Sequence, residues 1–130
     1  MEVVLRLFLA VGLGAVIGYQ RERAGKAAGL RTYILIASGS ALFTLASIFG
    51  FSGAVDPSRV AAGVVAGVGF IGAGVIFRGS RGGEVAGLTT AASIWMTAAI
   101  GLAAGSGLYL LSAIATAITV GILIFPRIRG

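Results

Sequence analysis

The sequence predicts an all-α membrane protein, a compact bundle of five transmembrane helices. Three observations predict it. Hydrophobic residues make up 58% of the 130 residues and charged residues 11%, against roughly 25% charged in a soluble domain. The apolar residues form long continuous runs, whereas barrel strands alternate polar and apolar positions. Short gaps between the runs hold most of the charge and both prolines. A water-soluble domain of this composition has too little polar surface to cover itself, and a bilayer removes that need. The length suits one domain, 1–130.

A spanning helix needs about 17–25 mostly apolar residues. The first run covers residues 3–19 and is followed by a basic loop, 20–30. The N-terminal run ends in Arg21-Glu22-Arg23 with no small-residue cleavage pattern, so it reads as a retained span and not a signal peptide. The second run covers 31–50. A turn with Gly53 and Asp56-Pro57 follows, and Pro57 suits the opening turn of the third run, 58–77. Residues 78–86 are polar and glycine-rich. The fourth run, 87–104, meets the tight turn Gly105-Ser106-Gly107, and the fifth, 108–125, stops at Pro126 and the basic tail Arg127-Ile128-Arg129. The first and last runs are the weakest, so four spans is the alternative count.

Five spans put the termini on opposite sides. One side then holds Arg21, Arg23, Lys26, Arg31, Arg78, Arg81, Arg127 and Arg129, and the other only Arg6 and Arg59. Basic residues collect on the cytoplasmic side, which predicts an outside N-terminus and a cytoplasmic C-terminus. The net charge of +6 therefore reads as topology and not as nucleic-acid binding.

Several chemistries are excluded or weakened. With no cysteine and no histidine there are no disulfides, no thiolate nucleophile, no imidazole base and no Cys/His metal site. Glu2, Glu22, Asp56 and Glu84 all fall near span ends. A cation path usually needs buried carboxylates or a carbonyl-lined break. No metal ligand set, cofactor or catalytic group is expected.

Glycine is abundant, with 22 residues. Gly14 and Gly18, Gly63 and Gly67, and Gly101 and Gly105 each stand four apart, on one helix face. Such pairs let helix backbones approach closely, within the bundle or between copies in a homo-oligomer. Gly67-Val68-Gly69-Phe70-Ile71-Gly72 matches the dinucleotide pattern G-x-G-x-x-G, but it lies inside an apolar run with no preceding strand. Gly69, Gly72 and Gly74 are expected to serve close packing or a kink instead. Hydroxyl stripes recur at helical spacing: Ser40, Thr44 and Ser47; Thr89, Ser93 and Thr97; Ser112, Thr116 and Thr119. They are expected to face the bundle interior and bond across helices. Arg21, Glu22, Arg23, Lys26 and Arg31 crowd the first loop, where arginine forks suit a carboxylate or phosphate partner. Anchoring to lipid headgroups is the simpler role, and Glu22 could pair with Arg31 or Arg78.

Four ordered motifs carry a resemblance. They are Gly12-Leu13-Gly14-Ala15-Val16-Ile17-Gly18 followed by Arg21-Glu22; Ala28-Gly29-Leu30-Arg31-Thr32; Gly67-Val68-Gly69-Phe70-Ile71-Gly72-Ala73-Gly74-Val75-Ile76; and Val85-Ala86-Gly87-Leu88-Thr89-Thr90-Ala91-Ala92 with Trp95. Together they resemble the MgtC/SapB family of bacterial inner-membrane proteins over nearly the whole chain. The resemblance implies a multi-pass, five-span protein of the inner membrane with its N-terminus outside. It implies a role in adaptation to low magnesium and in survival inside host cells, exerted as a regulator of other membrane proteins. A small oligomeric transporter or channel for Mg²⁺ or another solute is the alternative. Arg21, Glu22, Arg31, Thr32, Arg78, Thr89 and Thr90 are the candidate ligand- or partner-binding residues. The bilayer, a membrane-protein partner and a second copy are the expected partners. Two departures stand out. Many members carry a soluble domain after the last span, and this chain stops at Gly130. Virulence-type members have Asn-Thr-Ala-Ala and Trp-Cys where this chain reads Thr89-Thr90-Ala91-Ala92 and Trp95-Met96, so the intracellular-survival role is not expected to carry over.

Overall fold

The computed structural model describes residues 2–51, 56–79 and 87–125, and the side chains of all of these but 77–79. The expected contributions of Gly53, Arg81, Glu84, Arg127 and Arg129 lie outside the described residues. Five helices are described: α1 (Glu2–Arg23), α2 (Leu30–Phe49), α3 (Ser58–Gly79), α4 (Leu88–Gly105) and α5 (Tyr109–Ile124). By length and composition α1 to α4 are able to cross a membrane. The fifth has 16 residues, just short of the ~17 that a perpendicular span needs.

The first boundary differs from the expectation in a way that matters. α1 does not stop at residue 19 but runs on to Arg23. Tyr19-Gln20-Arg21-Glu22-Arg23 contains no glycine or proline, so nothing breaks the helix there. It ends where Gly25 adopts φ +71°. Gly25 N–H then donates to Glu22 O and Lys26 N–H to Arg21 O, both at 3.1 Å, the paired bonds of a Schellman C-cap. Arg21, Glu22 and Arg23 are thus helical residues with defined directions.

α2 packs against both α1 and α4, and glycine makes both approaches possible. A Cβ added to Gly14 would lie 2.6 Å from Tyr33 O and 2.9 Å from Ala37 Cβ. One added to Gly18 would lie 2.8 Å from Leu30 Cα. From α4, one added to Gly101 would fall on the Ala37 carbonyl, and one added to Gly105 would lie 2.9 Å from Ala41 O. Ala37 is therefore clasped by Gly14 of α1 and Gly101 of α4. Gly72 makes ordinary contact with Ala91 Cβ at 3.6 Å.

Gly63, Gly67, Gly69 and Gly74 behave differently: a Cβ on any of them meets nothing within 4 Å. Among the described residues they do not make the close packing expected of them. α3 touches α4 more than α2, and its Gly63–Gly67 edge faces outward. The helix runs unbroken through the G-x-G-x-x-G segment, so these glycines do not open a carbonyl-lined break in it.

The hydroxyls also depart from expectation. Thr44, Thr97, Thr116 and Thr119 each donate to the carbonyl four residues back at 2.7–2.8 Å, and Ser112 donates to Tyr109 O at 2.8 Å. A hydroxyl in an apolar interior is satisfied this way without help from a neighbour. Among the described residues, Ser40 to Ala98 O at 2.7 Å, Ser47 to Pro57 O at 3.0 Å and the Tyr33–Ser93 pair are the bonds between segments from these stripes. On α4 the buried stripe is Thr90, Ser93 and Thr97, with Thr89 exposed.

At the end holding the N-terminus, Arg6 ties four helices. It donates to Glu2 of α1 at 3.0 and 3.2 Å, to the Tyr109 hydroxyl of α5 at 3.3 Å and to Gly105 O of α4 at 3.0 Å. Its guanidinium lies 5.5 Å from the Phe49 ring centre of α2, and Tyr109 donates to Glu2. Gly107 adopts φ +91°, where a side chain would be strained, and lies against this guanidinium.

At the entry to α3, Asp56 accepts from Ser58 Oγ at 2.7 Å and Ser58 N at 3.0 Å. These two bonds hold its carboxyl below the usual carboxylate range. A depressed folded-state pKa stabilises the cap above the ordinary value and withdraws that support as pH falls through the folded one. The protection of the Ser58 and Arg59 amides, measured against the intrinsic exchange rate at each pH, is therefore expected to fall below about pH 4, and Asp56→Asn should make that protection independent of pH in that window. An equally steep pH dependence in Asp56→Asn would remove Asp56 as the cause.

Candidate functional site

The buried face of α1 runs through Ala10, Gly14, Ile17, Gly18 and Arg21. Because the helix continues past residue 19, Arg21 stands three residues beyond Gly18 on this face and points into the bundle. Only 3% of it is exposed. Its Nη2 donates to Thr90 Oγ1 at 2.7 Å, joining the last turn of α1 to the first turn of α4. The C-terminal end of a helix favours a positive charge, which eases the cost of placing a guanidinium here.

Behind this pair the polar contacts continue. Ser93 Oγ donates to Thr90 O at 2.8 Å and shares a short hydrogen bond with the Tyr33 hydroxyl. Tyr33 is fully buried. Arg21, Thr90, Ser93 and Tyr33 thus link α1, α4 and α2 at one end of the bundle. Two buried atoms beside them, Arg21 Nε and Gln20 Oε1, have no hydrogen-bond partner among the described residues. The cluster offers donors and one fixed positive charge. Such a cluster can hold an anionic or carbonyl acceptor and repels a cation; it holds no carboxylate to serve as a base or a metal ligand. No group of three carboxylates is found among the described residues.

The other candidate residues spread around this cluster. Glu22 does not pair with Arg31: its Oε1 accepts from Leu30 N at 2.9 Å, supplying the N-terminus of α2 with an acceptor and a negative charge. The carboxylate lies against Gly29, so a side chain at that position would displace it. Arg31 is exposed, Thr32 is half-buried and Thr89 is exposed. The side chain of Arg78 lies outside the described residues. Among those described, the one ion pair is Arg6–Glu2 at 3.0 Å. Of the seven candidates the structure joins Arg21 and Thr90 directly, sets Glu22 beside them as a helix cap, and leaves Arg31 facing out. Sequence reasoning missed Tyr33, Gln20 and Arg6. The spacing of Arg21 from Gly14 and Gly18 held the signal for its burial.

Residues 7–128 match the MgtC family. The chain belongs to the MgtC family. It is 52% identical over 115 residues to YhiD of Escherichia coli (strain K12), named as a candidate magnesium transporter, covering 83% of this chain and 53% of YhiD. It is 48% identical over 125 residues to SrpB of Synechococcus elongatus, covering 88% of this chain and 69% of SrpB. It is 44% identical over 119 residues to MgtC of Brucella abortus, covering 90% of this chain and 49% of that protein. The chain thus spans about half the length of YhiD and MgtC. No solved structure matches it. This MgtC family chain is a multi-pass membrane protein whose helices suit a lipid bilayer. Within it the Thr89-Thr90 dipeptide is divided between an outward and an inward side chain, and only Thr90 joins the buried cluster.

Proposed function

We propose that this chain is a non-enzymatic regulator of other membrane proteins, tied to adaptation to low magnesium. It sits in a bacterial inner membrane with the Arg21–Arg31 end cytoplasmic. The observation that carries the reading is Arg21: a guanidinium buried at one end of the polar interior opposes passage of a divalent cation. The hydroxyls beyond it support the same reading, because most are bonded to their own helices and do not line an open path. The exposed Arg23, Lys26 and Arg31 supply a basic face for an acidic partner, in line with the bidentate pairing that arginine favours.

The name of YhiD favours the alternative, a magnesium transporter. The two readings part in proteoliposomes. The purified chain is expected to give no Mg²⁺ flux above protein-free vesicles, and robust flux would sink the regulator-only reading. In cells, Arg31→Ala is expected to insert normally and to lose complementation of growth in low magnesium. Full complementation by that variant would return Arg31 to topology alone.

A further inference from the structure

An apolar groove of about 640 Å³ opens between α2 and α3. Leu35, Gly39 and Phe43 line it from α2, and Gly63, Gly67 and Ile71 from α3. Its breadth comes from glycine: Gly39, Gly63 and Gly67 have open space where a side chain would stand. It lies beside the polar interior described above, and its walls are almost wholly hydrocarbon. Its size falls within the ~300–1,000 Å³ of ligand clefts.

One mouth of the groove is basic. Arg31, Leu35, Gly39 and Phe43 succeed one another at intervals of four on α2, so they follow one face. Arg31 is exposed and stands one turn, about 6 Å, beyond the first lining residue. α3 runs antiparallel to α2, so the Ile71 end of α3 lies at this same end of the groove. Lys26 is exposed just before α2. The opposite mouth carries Arg59, with Asp56 three residues away. A positive mouth above an apolar slot matches a molecule with an anionic head and a hydrocarbon tail. Basic pockets between spanning helices are known to take phospholipid headgroups.

We propose that the α2–α3 groove binds one anionic phospholipid, its phosphate at Arg31 and one acyl chain along Gly39, Gly63 and Gly67. A second copy of the chain fits the groove less well. Two copies in one membrane share orientation, so a two-fold contact through this face would set both Arg31 ends side by side as like charges. A phosphate relieves that charge. The proposal stands independently of whether Arg31 also meets a protein partner.

The test reconstitutes the full chain in vesicles of equal phosphatidylglycerol and phosphatidylcholine and counts, by native mass spectrometry, the lipid retained after detergent release. The wild type is expected to retain one phosphatidylglycerol in preference to phosphatidylcholine. Arg31→Gln should reduce that preference about fivefold, the weight of ~1 kcal/mol per basic residue at an anionic surface, while phosphatidylcholine retention persists. Gly67→Leu should lower retention of both lipids, and Arg59→Gln should leave the preference unchanged. Equal retention of the two lipids by the wild type would overturn the proposal. So would loss of preference in Arg59→Gln but not in Arg31→Gln. Efficient disulfide cross-linking of Gly63→Cys copies in the same vesicles would assign the groove to a second copy. Because Arg31 is exposed, its variant keeps the test decisive even if Gly67→Leu fails to fold.

Discussion

Replacing Gly101 with leucine is expected to unfold the bundle more effectively than any other single glycine substitution on α4. A Cβ at this position falls on the Ala37 carbonyl, 2.9 Å from its carbon and 3.0 Å from Ala37 Cα. The obstacle is backbone, so no rotamer change relieves it. Gly14 of α1 also packs on Ala37, with 2.9 Å between an added Cβ and Ala37 Cβ, so the same stretch of α2 is seated on α1 and α4 together. Overpacking usually costs about 1–3 kcal/mol, and a clash with backbone on a doubly clasped helix belongs at the upper end. Unfolding by SDS titration in mixed micelles measures it. Gly12→Leu supplies the contrast, since a Cβ there meets nothing within 4 Å; it should change the midpoint little. Equal midpoints for the two variants would mean that α4 does not seat on α2 through Gly101.

Thr90→Val is expected to harm the protein more than Arg21→Met, although valine is nearly isosteric with threonine and the methionine change removes a charge. Among the described residues Thr90 Oγ1 is the one acceptor for the buried guanidinium. Its loss leaves a charge in the interior with no protein partner, which costs about 1.5–3 kcal/mol for a hydrogen bond to a charged group. Arg21→Met removes the charge together with its desolvation cost, and apolar replacement of buried polar clusters is often close to neutral. The double variant Arg21→Met, Thr90→Val should therefore recover most of what Thr90→Val loses. A double-mutant cycle on SDS midpoints gives the coupling. Strict additivity would show that the Arg21–Thr90 bond contributes nothing to stability.

Much of the fold was legible because long apolar runs, glycine at fourth positions and proline at the turns are local signals. The Gly14–Gly18 and Gly101–Gly105 pairs sit where two backbones meet. The same signal at Gly63 and Gly67 gave no such contact, because a small-residue pair marks a face able to pack and does not say against what. The candidate site was half legible. Arg21, Glu22 and Thr90 were singled out from their motifs, but Arg21 and Glu22 were assigned to a loop. One additional turn of α1 separates a solvated arginine from a buried one, and helix ends are the least determined feature of a sequence. The Glu22 bond to Leu30 N was hidden for the same reason: a carboxylate among four basic residues suggests an ion pair, whereas the nearest unsatisfied donor was the N-terminus of the next helix.

By itself, the sequence determined that the chain is helical, multi-pass and apolar over most of its surface, because hydropathy over a span's length leaves no other way to satisfy the backbone in lipid. It also placed most of the positive charge at one end, through the order of spans and loops. Only the tertiary structure decided which glycines touch a neighbour, which hydroxyls turn back on their own helix, and that Arg21 points inward while Arg31 points out. Those choices depend on distances between residues far apart in the chain, such as Arg21 and Thr90 or Gly101 and Ala37, and no local pattern encodes such distances.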